Sequence, residues 1–269
     1  MQNKTKKSIL ISVIIPAYQQ EKTIKKDILR VIDVMGRLRY KFEIILVVDG
    51  MNDNTFKIAR KIKSPKLVVV GYESNRGKGY AVRFGMGRSK GDIVAFIDSG
   101  MEINPNGLSM LLEHFEWYNA DIIVGSKLHP ASKVHYPFSR KILSWGYRWL
   151  VKLLFGLQIR DTQVGMKFYK RKVLDTVLPR LLVKTYAFDI EILAVAHHLG
   201  YTRIFEAPID LDFKGNSSVV SKGFWRTIIL MLRDTCAVFY RLKILRYYDT
   251  GNKRKWQYDI ELNYRVNIP

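Results

Sequence analysis

Five short apolar runs, Ile9 to Ile15, Phe42 to Val48, Leu67 to Val70, Ile93 to Ile97 and Ile122 to Val124, are separated by segments with helical periodicity. Ile24, Ile28, Val31 and Met35 form one helical stripe, Phe56, Ala59 and Ile62 a second, and Leu108, Leu111, Leu112 and Phe115 a third. Strands that alternate with helices predict right-handed crossovers and an α/β fold, a Rossmann-like, mostly parallel sheet flanked by helices. Open sheets of this kind bind ligands beyond the carboxyl ends of their strands, so the turns that close the runs are where chemistry is expected. Architecture alone does not say which chemistry.

The fourth run ends on a lone acid, Asp98, followed by Ser99, Gly100, Met101 and Glu102. Asp98 and Glu102 can supply the one or two carboxylates that a hard divalent cation takes alongside substrate phosphates; the alternative is a capped turn with a solvated Glu102. Pro16-Ala17-Tyr18 closes the first run, where a ring and backbone groups can hold a flat base. Asp49-Gly50-Met51-Asn52-Asp53-Asn54-Thr55 closes the second: Asp49 can accept from a base or ribose donor, with Asn54 or Thr55 capping the next helix, or the whole turn is capping chemistry. Asn75-Arg76-Gly77-Lys78-Gly79 then leads into a helix beginning near Tyr80. Its glycines let backbone approach a phosphate, the helix start offers free N–H groups and Lys78 adds charge, although the Gly-Lys-Ser/Thr ending of a Walker loop is absent.

Charge narrows the partners. The 269 residues carry a formal net charge of +21, which predicts anionic partners: nucleic acid, lipid headgroups or phosphorylated substrates. Between Lys127 and Lys172 there are eleven Lys or Arg and a single acid, Asp161, an imbalance that repels itself unless anions neutralise it. One cysteine, Cys236, excludes an intrachain disulfide and a four-cysteine zinc site, and fits a reducing cytosolic setting. The opening residues through Ile15 read as a first strand and not as a secretory leader, because Pro16 and Gln19-Gln20-Glu21-Lys22 follow without a small-residue cleavage pattern. No window reaches the ~18 uninterrupted apolar residues that span a bilayer.

The motifs in this order resemble family 2 inverting glycosyltransferases with a GT-A fold, and most of all the branch that makes dolichyl- or polyprenyl-phosphate sugars. That family's opening Pro-Ala-Tyr-Asn-Glu-Glu is similar to Pro16 through Glu21, its Asp-Asp-Gly-Ser-x-Asp to Val48 through Asp53, and its Asn-x-Gly-Lys-Gly to Asn75 through Gly79. Gly125-Ser126-Lys127 resembles its Gly-Ser-Arg, Asp161 through Lys167 the Asp-Thr-Gln-Cys-Gly-Phe-Lys of dolichyl-phosphate glucosyltransferases, and Phe188-Asp189-Ile190-Glu191 its Phe-Asp-x-Glu. Two positions depart from the pattern. The family's metal motif, Asp-x-Asp with a polar residue two positions on, is here Asp98-Ser99-Gly100 with Glu102 at the later position, and Val48 replaces the first of two aspartates.

The resemblance implies transfer of a hexose from UDP-glucose or GDP-mannose to a polyprenyl or dolichyl phosphate, with Mg²⁺ or Mn²⁺ held by Asp98 and Glu102. It implies that Lys127 and Arg140 grip phosphates, Arg140 with bidentate geometry. Asp189 orients sugar or acceptor, or serves as base if the acceptor is an alcohol. Asp161, Gln163 and Lys167 join Pro16, Ala17, Tyr18, Glu21, Asp49, Gly77, Lys78, Asp98 and Ser99 as substrate-binding residues. His197 and His198 lie in a helical pattern with no ligand set beside them and read as structural. Residues 1–220 are expected to form the catalytic domain, and 221–269 an amphipathic helical extension.

Membrane contact, if present, is peripheral. Ile142, Trp145, Trp149 and Leu153 recur at helical spacing with Arg140, Lys141, Arg148 and Lys152 interleaved. Lys222, Arg226, Arg233 and Arg241 share a second helix face, with Trp225, Leu232 and Phe239 on much of the remainder. Basic amphipathic helices of this kind lie in bilayer interfaces, although such stripes also face protein cores. The expected location is the cytoplasm, on the cytoplasmic face of an anionic membrane. Two other readings stay open: a hydroxyl-directed transferase building surface polysaccharide, and a basic nucleic-acid-binding module, which rests on charge alone since no zinc-finger, RNA-recognition or basic-zipper signature is present.

Overall fold

The computed structural model describes residues 9–134, 138–211, 224–252 and 255–267; within these, the side chains of 133, 134, 138–144, 224 and 225 lie outside the description. In chain order the first half runs β1 (Leu10–Ala17), α1 (Ile24–Gly36), β2 (Lys41–Asp49), α2 (Thr55–Arg60), β3 (Leu67–Tyr72), α3 (Lys78–Arg88), β4 (Ile93–Ile97), α4 (Gly107–Trp117) and β5 (Ile122–Ser126). The second half runs β6 (Lys133–Val134), α5 (Phe138–Phe155), β7 (Met166–Lys170), α6 (Arg171–Val177), α7 (Phe188–His198), β8 (Ile204–Pro208), β9 (Asp210–Leu211), α8 (Phe224–Phe239), β10 (Trp256–Asp259) and β11 (Tyr264–Asn267).

Each of the five apolar runs is a strand of one seven-stranded sheet ordered β3-β2-β1-β4-β7-β5-β8. β3, β2, β1 and β4 are parallel to one another, β5 is parallel to β8, and β7 alone runs the other way, antiparallel to both β4 and β5. The reason is in the connections: helices return the chain to the same edge between the first strands, as parallel pairing requires. Alternate side chains feed two cores. Ile14, Val47, Val94 and Phe96 pack with α3 and α7 on one face, while Val13, Ile15, Leu46, Ala95 and Ile97 pack with α1 and α4 on the other.

The chain beyond β9 is not helical throughout. After α8 and a π-helical turn at Tyr240–Ile244, β10 and β11 pair as an antiparallel hairpin. These four-residue strands, β10 largely exposed and both rich in polar side chains, carry too little apolar alternation to stand out in sequence. Tyr247, Tyr248 and Leu262 belong to the same buried cluster as α3 and α7. Among the described residues no helix is long and apolar enough to cross a membrane.

Helix α3 lies close on the sheet because Gly85 has no side chain: a Cβ there would sit 2.5 Å from Ile14 Cγ2 and 2.9 Å from Val47 Cγ2. Gly85→Ala is therefore expected to overpack this contact and lower unfolding free energy by about 1–3 kcal/mol, read as a lower denaturant midpoint. An unchanged midpoint would mean that α3 can shift off the sheet freely.

Candidate functional site

Beyond the carboxyl ends of β1, β2 and β4 the loops enclose a cleft of about 600 Å³. Its walls contain Pro16, Ala17 and Tyr18 at the end of β1, Asp49 at the end of β2, Gly77 and Lys78 at the start of α3, and Asp98, Ser99 and Glu102 after β4. Lys127 and Gln163 approach from the far side. These are eleven of the residues expected to bind ligand, brought together from six separate stretches of chain.

The floor is a line of alternating charge. Lys167, wholly buried on β7, places Nζ 2.6 Å from Asp189 Oδ1 and also donates to the Val164 carbonyl. Asp189, in the first turn of α7, presents Oδ2 to Lys78 Nζ at 3.5 Å, and Lys78 Nζ lies 3.0 Å from Asp98. Burial opposes the charge on Lys78, but Asp189 and Asp98 outweigh it and hold its pKa above the ordinary lysine value. Burial wins at Lys167, whose pKa is lowered even though Asp189 faces it. The start of α7 adds a favourable dipole for the Asp189 carboxylate.

Each arm of the cleft is tied in place by a buried acid. Asp49 accepts from the amides of Arg76 (2.7 Å) and Gly77 (3.1 Å), so both carboxylate oxygens fasten the loop before α3, leaving only their remaining lone pairs for a ligand. Gly77 adopts φ +96°, and a Cβ there would meet the Lys184 carbonyl oxygen at 2.5 Å. Asp98 is seated because Gly165 lacks a side chain: a Cβ would lie 1.8 Å from Asp98 Oδ2. The tight turn after β4, with Gly100 at φ +84° and Met101 at +48°, is held by Asp27, whose Oδ2 accepts the Gly100 amide at 3.1 Å. Asp161 accepts from the Lys127 and Gln163 amides at 3.2 and 3.3 Å, with Lys127 Nζ 3.7 Å away. Gln163 lines the cleft, with its Nε2 buried next to the Tyr147 hydroxyl.

Four residues expected to touch ligand do not line the cleft. Lys167 is buried beneath it and serves Asp189; Asp189 is 2% exposed and has an ammonium on each oxygen. Asp161 supports Lys127 from behind. Glu21 binds the Asn54 amide and side chain at 3.1 and 3.2 Å, joining the loops after β1 and β2. Capping of α2 also differs from expectation: neither Asn54 nor Thr55 caps it with a side chain, and Asp53 instead accepts the Thr55 amide at 3.0 Å. The Arg140 side chain lies outside the described residues, as do Lys141, Ile142 and Trp225 side chains and all of Lys222.

Two further residues of the site, one of them the Glu of Phe-Asp-x-Glu, have no role assigned to them in the sequence. Asp27 is an acid on the core-facing stripe of α1 between Ile24 and Ile28, a placement that signals a buried partner. Glu191, fully buried, accepts from the Leu182 and Val183 amides and from Tyr248, fixing the segment that packs on Gly77 and Gly79. His198, by contrast, pairs with Asp249 away from the cleft, in a structural role.

A family model, Glycosyl transferase family 2, matches residues 12–178, the stretch that takes in most of β1, all of β2 through β7 and the cleft lining other than Thr185, Tyr186 and Leu211. The chain belongs to this family. It is 28% identical over 252 residues to a dolichyl-phosphate beta-glucosyltransferase of Trichomonas vaginalis, covering 89% of this chain and 76% of that one. Enzymes of the same name from Drosophila melanogaster and Homo sapiens are 33% and 30% identical over 71% and 74% of this chain, which spans 64% of the length of each. The fold is GT-A: a glucosyl-3-phosphoglycerate synthase from Mycobacterium tuberculosis, solved in complex with UDP, superposes with TM-score 0.63 at 20% identity, covering 97% of this chain and 87% of that one.

Removing one member of a buried ion pair leaves the other charge without compensation. Lys167→Met is expected to lower unfolding free energy by about 3–5 kcal/mol in urea titration. A loss below about 1 kcal/mol would mean that Lys78 alone suffices to hold Asp189.

Proposed function

We propose that this family 2 protein is an inverting glycosyltransferase that moves glucose from a nucleoside-diphosphate sugar, UDP-glucose in preference to GDP-mannose, to a polyprenyl phosphate of the dolichyl type. The preference for glucose and for a dolichyl acceptor rests on the relatives of 28 to 33% identity that bear the name dolichyl-phosphate beta-glucosyltransferase.

The observation that carries the choice of acceptor class is the state of Asp189. A hydroxyl acceptor needs a carboxylate free to take its proton, and Asp189 is nearly sealed, with Lys167 at 2.6 Å and Lys78 at 3.5 Å. A phosphate monoester needs no such base, because its second pKa is ~6 and its oxygen is already ionised at neutral pH. That oxygen attacks the anomeric carbon from the face opposite the departing nucleotide. As the new C–O bond forms, the bond to the nucleoside diphosphate breaks and its electron pair stays on the diphosphate oxygen. No proton moves, and the configuration inverts.

The residues of the cleft divide this work by position. Lys78 and the N-terminal end of α3 stand where charge builds on the leaving diphosphate. Lys127, supported by Asp161, grips phosphate on the other side. Pro16, Ala17, Tyr18 and the remaining lone pairs of Asp49 hold the base and ribose, and Gln163, on the cleft wall, contacts a sugar hydroxyl.

Two carboxylates, Asp98 and Glu102, face the cleft, and among the described residues no set of three or more metal-binding side chains exists. The pair fits Mg²⁺ or Mn²⁺, cations that take few carboxylates and complete their shell with phosphate oxygens and water. Such a cation, when bound, supplies further neutralisation of the diphosphate.

The lipid acceptor calls for a surface at which to meet it. On α5, Trp145, Trp149 and Leu153 are 61%, 53% and 82% exposed, with Lys152 Nζ 5.5 Å over the Trp149 ring. Apolar side chains in solvent beside basic ones suit an anionic bilayer interface, in keeping with peripheral docking on a cytoplasmic membrane face. Nucleic acid is not a partner in this reading.

Protein incubated with radiolabelled UDP-glucose or GDP-mannose, Mg²⁺ or Mn²⁺ and polyprenyl phosphate should move label into the organic phase, fastest from UDP-glucose. The free polyprenol should accept none, and Lys78→Ala should slow transfer by about 10²–10³. Water-soluble product from every donor, or equal transfer to the alcohol, would refute the proposal.

A further inference from the structure

The β10–β11 hairpin lies outside the family-matched stretch, yet it reaches the loop that carries Lys78. The contact is made through Arg76. Its guanidinium lies over two rings, 5.3 Å from the centroid of Tyr72 and 4.9 Å from that of Tyr80. Nη1 donates to the Tyr80 hydroxyl at 2.8 Å and to Glu261 Oε2 at 2.5 Å. The same residue donates its backbone N–H to Asp49 at 2.7 Å. Arg76 is thus fixed at both ends, its main chain by the end of β2 and its side chain by the hairpin. Two residues on, Lys78 meets Asp98.

The hairpin is itself held in register with α3. Arg88 Nη2 donates to the Glu261 carbonyl at 2.8 Å, Arg83 Nε to the Tyr264 hydroxyl at 3.1 Å, and Asn263 Nδ2 to the Gly87 carbonyl at 3.3 Å. Gly87 permits the approach, since a Cβ there would lie 2.3 Å from the Leu262 carbonyl oxygen. Within the turn, Asp259 Oδ1 accepts the amides of Glu261 and Leu262, both at 2.9 Å, so Glu261 is presented from a turn already satisfied. The Glu261 side chain therefore registers the position of α3 and passes it to Arg76.

We infer that the hairpin is a working part of the donor site, with Glu261 a positioning residue that acts through Arg76 to hold the Arg76–Lys78 loop for a nucleoside diphosphate. This rests on the proposed function only for the identity of the ligand. The Arg76–Glu261 pair is about 40% exposed at both side chains, so its removal should leave global stability almost unchanged while loosening the loop.

The test combines two readouts on the full chain. Glu261→Gln should accelerate hydrogen exchange at the Arg76 and Gly77 amides with no nucleotide present, and should raise the calorimetric Kd for UDP about two- to fivefold, as expected for an exposed ion pair. Glu261→Lys, which sets like charge against Arg76, should raise it further, and Glu261→Asp should restore most of the affinity. The Arg76→Met, Glu261→Gln double variant should bind no more weakly than Arg76→Met alone. The unfolding midpoint and the KM for the acceptor should not move. Unchanged exchange and Kd in Glu261→Gln, or losses that multiply in the double variant, would overturn the inference while leaving the functional proposal intact. Wild-type protein that binds neither UDP nor GDP would overturn the proposed function, and the donor role of the hairpin with it.

Discussion

Everything in the cleft depends on one buried ion pair. Lys167 and Asp189 meet at 2.6 Å, the lysine wholly buried and the aspartate nearly so. A charge in that position is tolerable only with its partner, so the pair dictates where β7 and α7 lie relative to each other. Because β7 runs antiparallel between β4 and β5, its first residues pass directly under the end of β4. Gly165 then supports Asp98 through its carbonyl, at 2.8 Å from the Asp98 amide, and by having no side chain where the carboxylate must sit. The reversed strand is thus what joins the buried pair to the open acid.

Lys78 gains a defined role from this arrangement. With Asp189 below and Asp98 beside it, the ammonium is kept charged and pinned 5.3 Å from the Phe96 ring, at the first residue of α3. A cation held this way before any ligand arrives needs little reorganisation when negative charge develops next to it, which is the condition for electrostatic catalysis. The cost is that Asp189 is committed to holding lysines and is poorly placed to accept a proton. The same contacts that prepare the cleft for a leaving diphosphate therefore favour an acceptor that arrives already ionised.

How much of this was legible in the sequence depended on whether the residues involved repeat a pattern. The five apolar runs are strands because buried parallel strands read as continuous apolar stretches, and the alternation with helical stripes carried the topology. Eleven of the expected ligand-binding residues line one cleft, since most lie at or just beyond the carboxyl end of a strand, where open sheets gather their loops. Lys167 and Glu21 stand outside the cleft lining for a common reason: a polar residue inside a functional motif looks the same in sequence whether it faces the cleft or holds the residue that does. Asp161 follows the same logic behind Lys127. The hairpin was invisible because its strands are four residues long and rich in polar side chains, and Arg76–Glu261 joins positions 185 apart in sequence.

The most direct test of the central claim is a crystal structure with UDP and Mn²⁺ bound. The diphosphate should lie within hydrogen-bonding distance of Lys78 Nζ at the start of α3, with Lys167 and Asp189 still paired beneath it and no ligand atom on Asp189. A diphosphate seated elsewhere on the basic surface, or an Asp189 carboxylate turned into the cleft against the ligand with its lysines released, would contradict it.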